Sequence, residues 1–345
     1  MSREPSPSSP VNPQDILVVR FGSLGDLCLL GWALAELADR PGRKLRRVTL
    51  VTKAGFAPLM EQMRGVDEVV RLPGSRTADV ARLAGRLRRR PWDVVIDAHS
   101  ILRGHLLLGL MGRRSDRRLA KDTTARLAFM GLGHRAAHLD RTMHDRFAEL
   151  IEGLAPARKK PGTILPPLSS LAAEKAPLIL GLAPGAQWDT KRWPAEHFAS
   201  LLRRWLVARS GTLRIFIGPR EESWFEGSVL EIAARESGRT EIIRNRSLTE
   251  VATLLSECQH LVTNDSGLLH LAEAVGTPVL ALFGPTVREF GYFPVLESSS
   301  VLERTLDCRP CSRNGKRPCH RGDLACLVDI TPEAAFAALD ALEVE

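Results

Sequence analysis

Short apolar, β-branched runs alternate along this chain with stretches whose apolar positions recur every three to four residues. That alternation predicts parallel sheets joined by crossover helices. In the first half it predicts strands at Ile16–Arg20, Val48–Thr52, Glu68–Leu72 and Asp93–Asp97. Helical spacing falls at Leu27–Ala38, Ala78–Arg89 and around Leu102–Met111. Residues 158–177, RKKPGTILPPLSSLAAEKAP, lose both periods, and their Pro, Lys and Ser content predicts an interdomain connection.

A second series follows, with strands at Leu178–Ala183, Arg214–Ile217, Glu241–Ile243, His260–Thr263 and Val279–Leu282. Its helices are expected at Ala195–Ala208, Glu221–Ala234, Leu248–Glu257 and Leu268–Val275. A final helix, Pro332 to Leu342, opens on Thr331-Pro332-Glu333, a cap followed by Pro and Glu in the first turn. The expected organisation is a tail at 1–14, a Rossmann-like domain at 15–160 and a linker at 161–177. A second Rossmann-like domain at 178–330 and the helix at 331–345 complete it. Two doubly wound α/β domains place ligand sites at the carboxyl ends of their strands, facing across a cleft.

Length and composition fit this picture. The 345 residues exceed one ordinary core, and 44% hydrophobic with 26% charged residues is globular composition. The opening MSREPSPSSPVN has the Ser and Pro content of a disordered tail and no apolar core of a signal peptide, so the cytoplasm is the expected address. No run approaches the roughly 18 apolar residues of a membrane span. The net charge of +8 clusters in the first half, at Arg43 to Arg47, Arg86 to Arg90 and Arg113 to Arg118. Such a field favours anionic partners, whether phosphorylated substrates, lipid headgroups or nucleic acid, and is equally the mark of solvated Arg-rich helix faces.

Three strand-end segments carry candidate chemistry. In Arg20-Phe21-Gly22-Ser23-Leu24-Gly25-Asp26 the glycines permit a tight turn, but G-x-x-G departs from the dinucleotide fingerprint G-x-G-x-x-G. Asp26 stands where it either caps the first helix or takes a proton from an attacking hydroxyl. In Ala183 to Pro194, Gly185 and neighbouring amides suit phosphate, and Lys191 suits charge building on a departing diphosphate. Trp188 and Trp193 read as packing residues. In Thr263-Asn264-Asp265-Ser266-Gly267-Leu268-Leu269-His270, Ser266 and Gly267 open a helix whose amides form a diphosphate seat. Asp265 either caps that helix or accepts sugar hydroxyls, and His270 reads as a core or supporting residue. The next strand end, with Gly284 and Thr286, is expected to line the same pocket.

These segments, in this order, resemble glycosyltransferase family nine, the ADP-heptose:lipopolysaccharide heptosyltransferases. The likeness rests on RFGSLGD at 20–26, APGAQWDTKRWP at 183–194 and TNDSGLLHLAEAVGTPVLALFGPT at 263–286. The resemblance implies a GT-B architecture, an inverting transfer and no cofactor or catalytic metal. It implies Asp26 as base, Lys191 as diphosphate partner and Asp265 as a donor-sugar contact, with Gly185, Ser266, Gly267, Gly284 and Thr286 completing the donor site. Ser23, Gly25, Arg103 and Lys121 are the corresponding acceptor-side candidates. The implied partners are a nucleotide sugar, ADP-heptose foremost, and an acidic glycolipid met at the cytoplasmic face of the inner membrane. Where relatives carry Ser or Thr, this chain has Pro184-Gly185-Ala186, so backbone amides replace hydroxyl contacts to phosphate.

Cys308, Cys311, Cys319 and Cys326 form a C-x2-C-x7-C-x6-C series that suits either a structural zinc or a loop of reduced thiols, while Cys28 and Cys258 read as buried. Two rival functions are a sugar-nucleotide epimerase on the same fold and a basic nucleic-acid-binding protein. The second has little support, since 5% aromatics offer few stacking platforms.

Overall fold

The structure, a computed structural model, describes residues 14–38, 46–74, 76–133, 135–152, 154, 163–165 and 178–344. The expected tail, apart from Gln14, and most of the expected linker lie outside the described residues. Strands β1 (Gln14–Val19), β2 (Arg46–Lys53), β3 (Glu68–Leu72), β4 (Val94–Asp97) and β5 (Arg117–Arg118) form one parallel sheet in the order β3-β2-β1-β4-β5. Strands β6 (Ile179–Ala183), β7 (Thr212–Phe216), β8 (Thr240–Ile243), β9 (His260–Asn264), β10 (Val279–Phe283) and β11 (Ser300–Glu303) form a second, β11-β10-β9-β6-β7-β8. Both are wound in two directions from a central pair, and the order reverses between β1 and β4 and between β6 and β9. Those reversals open a crevice at the strands' carboxyl ends in each sheet.

Helices cover both sheets. The first half carries α1 (Leu24–Ala38), α2 (Ala57–Met60), α3 (Thr77–Leu87), α4 (Leu102–Leu110), α5 (Thr123–Leu132) and α6 (Met143–Ile151). The second carries α7 (Ala195–Ala208), α8 (Glu222–Phe225), α9 (Val229–Glu236), α10 (Leu248–Ser256), α11 (Gly267–Ala274), α12 (Ala325–Val328) and α13 (Pro332–Val344). The single helix expected over Glu221–Ala234 is two. Gly227 takes a φ of +72°, and Ser228 then caps α9 by accepting the Glu231 amide at 3.2 Å. The pattern also misses α5, α6, the one-turn helices α2 and α12, the two-residue β5 and the edge strand β11.

Helix α1 is buried almost all round, as its continuous LGDLCLLGWALAELA requires. It packs against α6 in its own half and against α11 in the other. One apolar cluster consequently runs from Ile16 and Leu29 through Ile164 to Leu269 and Phe283, joining the halves at their base. Ile164 and Leu165, near the start of the expected linker, are buried there and donate backbone hydrogen bonds to the Ala274 carbonyl. A separate cluster around Trp193, Phe198 and Trp205 lies beneath α7 and α13. The Trp193 indole donates to the Ile330 carbonyl at 2.8 Å, tying the final helix to the second sheet.

Helix α11 holds the loop after β10 through Glu273, which is 0% exposed. Its carboxylate accepts the Val295 and Leu296 amides at 2.9 Å and the Ser299 hydroxyl at 2.9 Å. Burial pushes its pKa up from 4.5 to about 7, against the pull of those hydrogen bonds. Folding therefore takes up a proton between those two values, so stability is fullest below the window and is lost as pH rises through about 7. Denaturant unfolding from pH 5 to pH 9 should show this fall, on the order of 3 kcal/mol at most, and Glu273→Gln should flatten it. Identical pH profiles for the two proteins would refute the assignment.

Candidate active site

The crevice of the first sheet is pinned by Arg20, the residue after β1. Its guanidinium donates to the Gly22 carbonyl at 2.8 Å and, across the reversal point, to the Ala98 carbonyl at 2.6 Å beyond β4. The same group ion-pairs with Asp26 at 2.5 Å and lies 5.3 Å from the Phe147 ring centre. Between them Gly22, at φ +144°, passes so close to Phe56 that a Cβ would stand 2.9 Å from the ring. Asp26 lies in the first turn of α1 and accepts the Ser23 hydroxyl at 2.8 Å.

The second crevice has its own pin. Asn264, ending β9, donates to the Pro184 carbonyl at 2.7 Å and accepts the Trp193 amide at 3.1 Å, which fixes the segment after β6. Asp265 then meets the Lys191 ammonium at 2.5 Å and accepts the Thr286 hydroxyl at 2.7 Å. Ser266 caps α11 by accepting the Leu268 amide at 3.3 Å, leaving the helix's positive end turned into the crevice.

The two crevices share one cleft of about 1080 Å³. At its floor the first turns of α1 and α11 touch: a Cβ on Gly25 would stand 2.6 Å from the His270 ring, and one on Gly267 would stand 3.2 Å from Leu24. Tyr292, from the loop that Glu273 holds, crosses the floor and donates its hydroxyl to Asp26 at 3.2 Å. Burial raises the pKa of Asp26, but Arg20 and the hydroxyls of Ser23 and Tyr292 outweigh it and hold the carboxyl below its ordinary value. Asp26 is thus ionised at neutral pH. Burial lowers His270 to about 4, leaving it a neutral wall of the site. It likewise pushes the Tyr292 phenol up, aided by the Asp26 charge, so that the hydroxyl keeps its proton and remains a donor.

Most of the expected site residues meet here: Ser23, Gly25, Asp26, Gly185, Lys191, Asp265, Ser266, Gly267 and Thr286 all line the cleft. Gly284 does not, because the Leu327 side chain occupies the space beside it, 2.8 Å from a Cβ there. Arg103 lies on α4 outside the lining. Lys121 is exposed beside the cleft, and its pKa is lowered by partial burial and by Arg20. Gly185 faces a carboxylate, with Glu221 Oε1 2.0 Å from the position of a Cβ, so that part of the cleft suits hydroxyls better than phosphate. Trp193 is buried in the core, whereas Trp188 lines the cleft. Arg126, Glu221, Tyr292 and Arg313 are additions that no motif announced, while Arg20 opens the RFGSLGD segment but had no role assigned to it.

The cysteine series has two readings, a structural zinc site or a loop of reduced thiols. Cys326 feels the charges of Cys308, Cys311 and Cys319, so the four lie near one another, and all are free. Yet among the described residues no three His, Cys, Asp or Glu side chains are grouped to hold a metal. Cys326 is buried beside Leu327, while Cys319 turns to the amides of Arg321, Gly322 and Leu324. Cys28 and Cys258 are buried. Among the described residues no helix is long and apolar enough to cross a membrane.

Residues 80–320 match the model of glycosyltransferase family 9 (heptosyltransferase). Lipooligosaccharide heptosyltransferase 2 of Haemophilus influenzae is 33% identical over 169 residues, 48% of this chain and 47% of that protein. Lipopolysaccharide heptosyltransferase 1 of Pseudomonas aeruginosa is 27% identical over 319 residues, 86% of this chain and 85% of that protein. The chain spans about half the length of the curated relatives it matches at 31–33% identity. The solved structure of E. coli ADP-heptose LPS heptosyltransferase II superposes with a TM-score of 0.72 at 21% identity, covering 96% of this chain and 99% of that one.

The contact at the cleft floor is directly testable. Gly25→Ala forces a methyl into the His270 ring and should cost about 1–3 kcal/mol in chemical denaturation. Unchanged stability would mean that the ring moves aside freely.

Proposed function

The chain belongs to glycosyltransferase family 9, with its GT-B architecture, and on that premise we propose that it transfers heptose from ADP-heptose to an acidic acceptor of the lipopolysaccharide core. The observation that carries this reading is the opposition, within one cleft, of an ionised Asp26 and the cationic seat formed by Lys191 and the start of α11. The second half holds the nucleotide sugar and the first half the acceptor. Asp26 takes the proton of the acceptor hydroxyl as its oxygen bonds to the anomeric carbon. The bond from that carbon to the diphosphate breaks, and the nucleoside diphosphate leaves with the electron pair. A single displacement of this kind inverts the anomeric centre. Lys191 releases Asp265 to meet the departing charge, and the α11 amides share it, so the step draws on no divalent ion.

Other cleft residues fit the same substrate. Glu221 and Glu222, at the start of α8, supply acceptors for the hydroxyls of a ribose or sugar. Arg126 and Arg313 supply cations on the acceptor side. We place the enzyme in the cytoplasm, at the inner face of the membrane. In support, α4 exposes Leu102, Leu106 and Leu110 at four-residue spacing, and Arg103, Arg113 and Arg114 flank them, a combination that suits an anionic bilayer.

Asp26→Asn should reduce kcat by about 10²–10⁴-fold while donor binding is kept. Donor binding is read by thermal shift with ADP-, UDP-, GDP- and dTDP-sugars, where a donor at 100 times its Kd stabilises by about 2.7 kcal/mol. Turnover by Asp26→Asn at the wild-type rate would remove this residue from the mechanism, and indifference to every nucleotide sugar would remove the reading itself. Tyr292→Phe deletes a hydrogen bond to the carboxylate and should move the acid limb of kcat/KM upward by about one pH unit. An unmoved limb would sever Tyr292 from the base.

A further inference from the structure

Beside the main cleft, between β5 and α6, lies a second cavity of about 200 Å³ lined by Arg117, Arg118, Arg141, Arg146 and Glu149. Three of the four guanidinium groups are engaged by the fold. Arg117 donates to the Leu150 carbonyl at 3.0 Å and to that of Glu152. Arg141 is held by both oxygens of Glu149, at 2.7 and 2.8 Å. Arg118 stands half exposed with its Nε 3.6 Å from the buried Asp97 carboxylate.

Arg146 differs. It is only 3% exposed, and its Nη1 ion-pairs with Asp122, whereas its Nε and Nη2 make no hydrogen bond among the described residues. A buried guanidinium with two of its three nitrogens unpartnered is costly to keep. Like charges sharpen the cost: burial and then Arg126 lower its pKa, ahead of the opposing pull of Asp122, and Arg141 adds to them. Only Glu149 among the cavity's lining residues carries negative charge. A forked guanidinium with free donors and two neighbours of the same sign matches a compact, doubly charged oxyanion, which accepts several N–H bonds at once.

We propose that this cavity is a phosphoryl-binding site, distinct from the diphosphate seat at Lys191 and Ser266. A phosphoryl group there accepts from Arg146 and Arg118 and relieves the crowding of positive charge. The group has two possible sources, a phosphate carried by the acceptor or free inorganic phosphate. The first source rests on the transfer reading given above; the site itself does not.

Inorganic phosphate is titrated into the full chain saturated with ADP, against chloride at matched ionic strength, and binding is followed by calorimetry. Saturable binding is expected, weakened about tenfold or more in both Arg146→Met and Arg118→Gln, with ADP affinity unchanged. Arg118→Gln alters a half-exposed side chain and keeps the test valid if Arg146→Met fails to fold. Binding that is absent, non-saturable or equal in the folded variants would overturn the site. The titration requires no turnover, so the site and the transfer reading fail separately. The source follows from KM for a phosphorylated glycolipid acceptor and its phosphatase-treated form. A rise in Arg118→Gln confined to the phosphorylated acceptor assigns the site to the acceptor, and equal KM values assign it to free phosphate.

Discussion

The meeting of two helix starts at the cleft floor governs the rest of this structure. Leu24 and Gly25 of α1 lie against Gly267 and His270 of α11, with no room for another carbon at Gly25. Each helix begins at the reversal point of its own sheet, so this contact brings the two crevices into register. It also sets the distance over which Tyr292 reaches Asp26. Glu273 belongs to the same device, since it is one turn past His270 and holds the loop that carries Tyr292. The apolar cluster shared by α1, α6 and α11 supplies the stiffness beneath.

Charge is arranged with a parallel logic in the two halves. At one reversal point Arg20 neutralises Asp26; at the other Lys191 neutralises Asp265. Both pairs are mostly buried, where an unpaired charge is expensive, so each partner stabilises the other until substrate arrives. The pairs are nevertheless unequal. Arg20 is anchored by two backbone carbonyls and so remains beside Asp26, whereas Lys191 has a flexible stem lying along Gly315. A fixed cation keeps the carboxylate ionised, whereas the lysine's flexible stem leaves its ammonium freer to move. The second cavity extends this: Arg126 lines the main cleft and also presses electrostatically on Arg146.

The legibility of the chain varied with the range of the interactions involved. The strand ends at Arg20 to Asp26, Ala183 to Pro194 and Thr263 to His270 were readable because tight turns and helix starts select Gly, Ser and Asp locally. The break at Gly227 was equally local and was overridden by the apolar period running through it. Helix α5 escaped because it buries little besides Arg126 and β5 because two residues cannot establish a period, whereas α6 carries one apolar face at Met143, Phe147, Leu150 and Ile151. The cysteine series had suitable spacing and its four thiols lie near one another, yet Cys326 went into the core with Leu327.

By itself the sequence determined two doubly wound halves, their strand-end loops and the acidic and basic residues at those loops, because periodicity and turn chemistry act between residues close along the chain. Tertiary structure alone decided which of those residues share a space. It brought Tyr292 across 266 positions to Asp26, set Glu221 over Gly185 and closed Gly284 under Leu327. It also left Arg103 outside the cleft and gathered four arginines into a second cavity. These are contacts between surfaces, fixed by how the sheets and helices pack, and no local pattern encodes them.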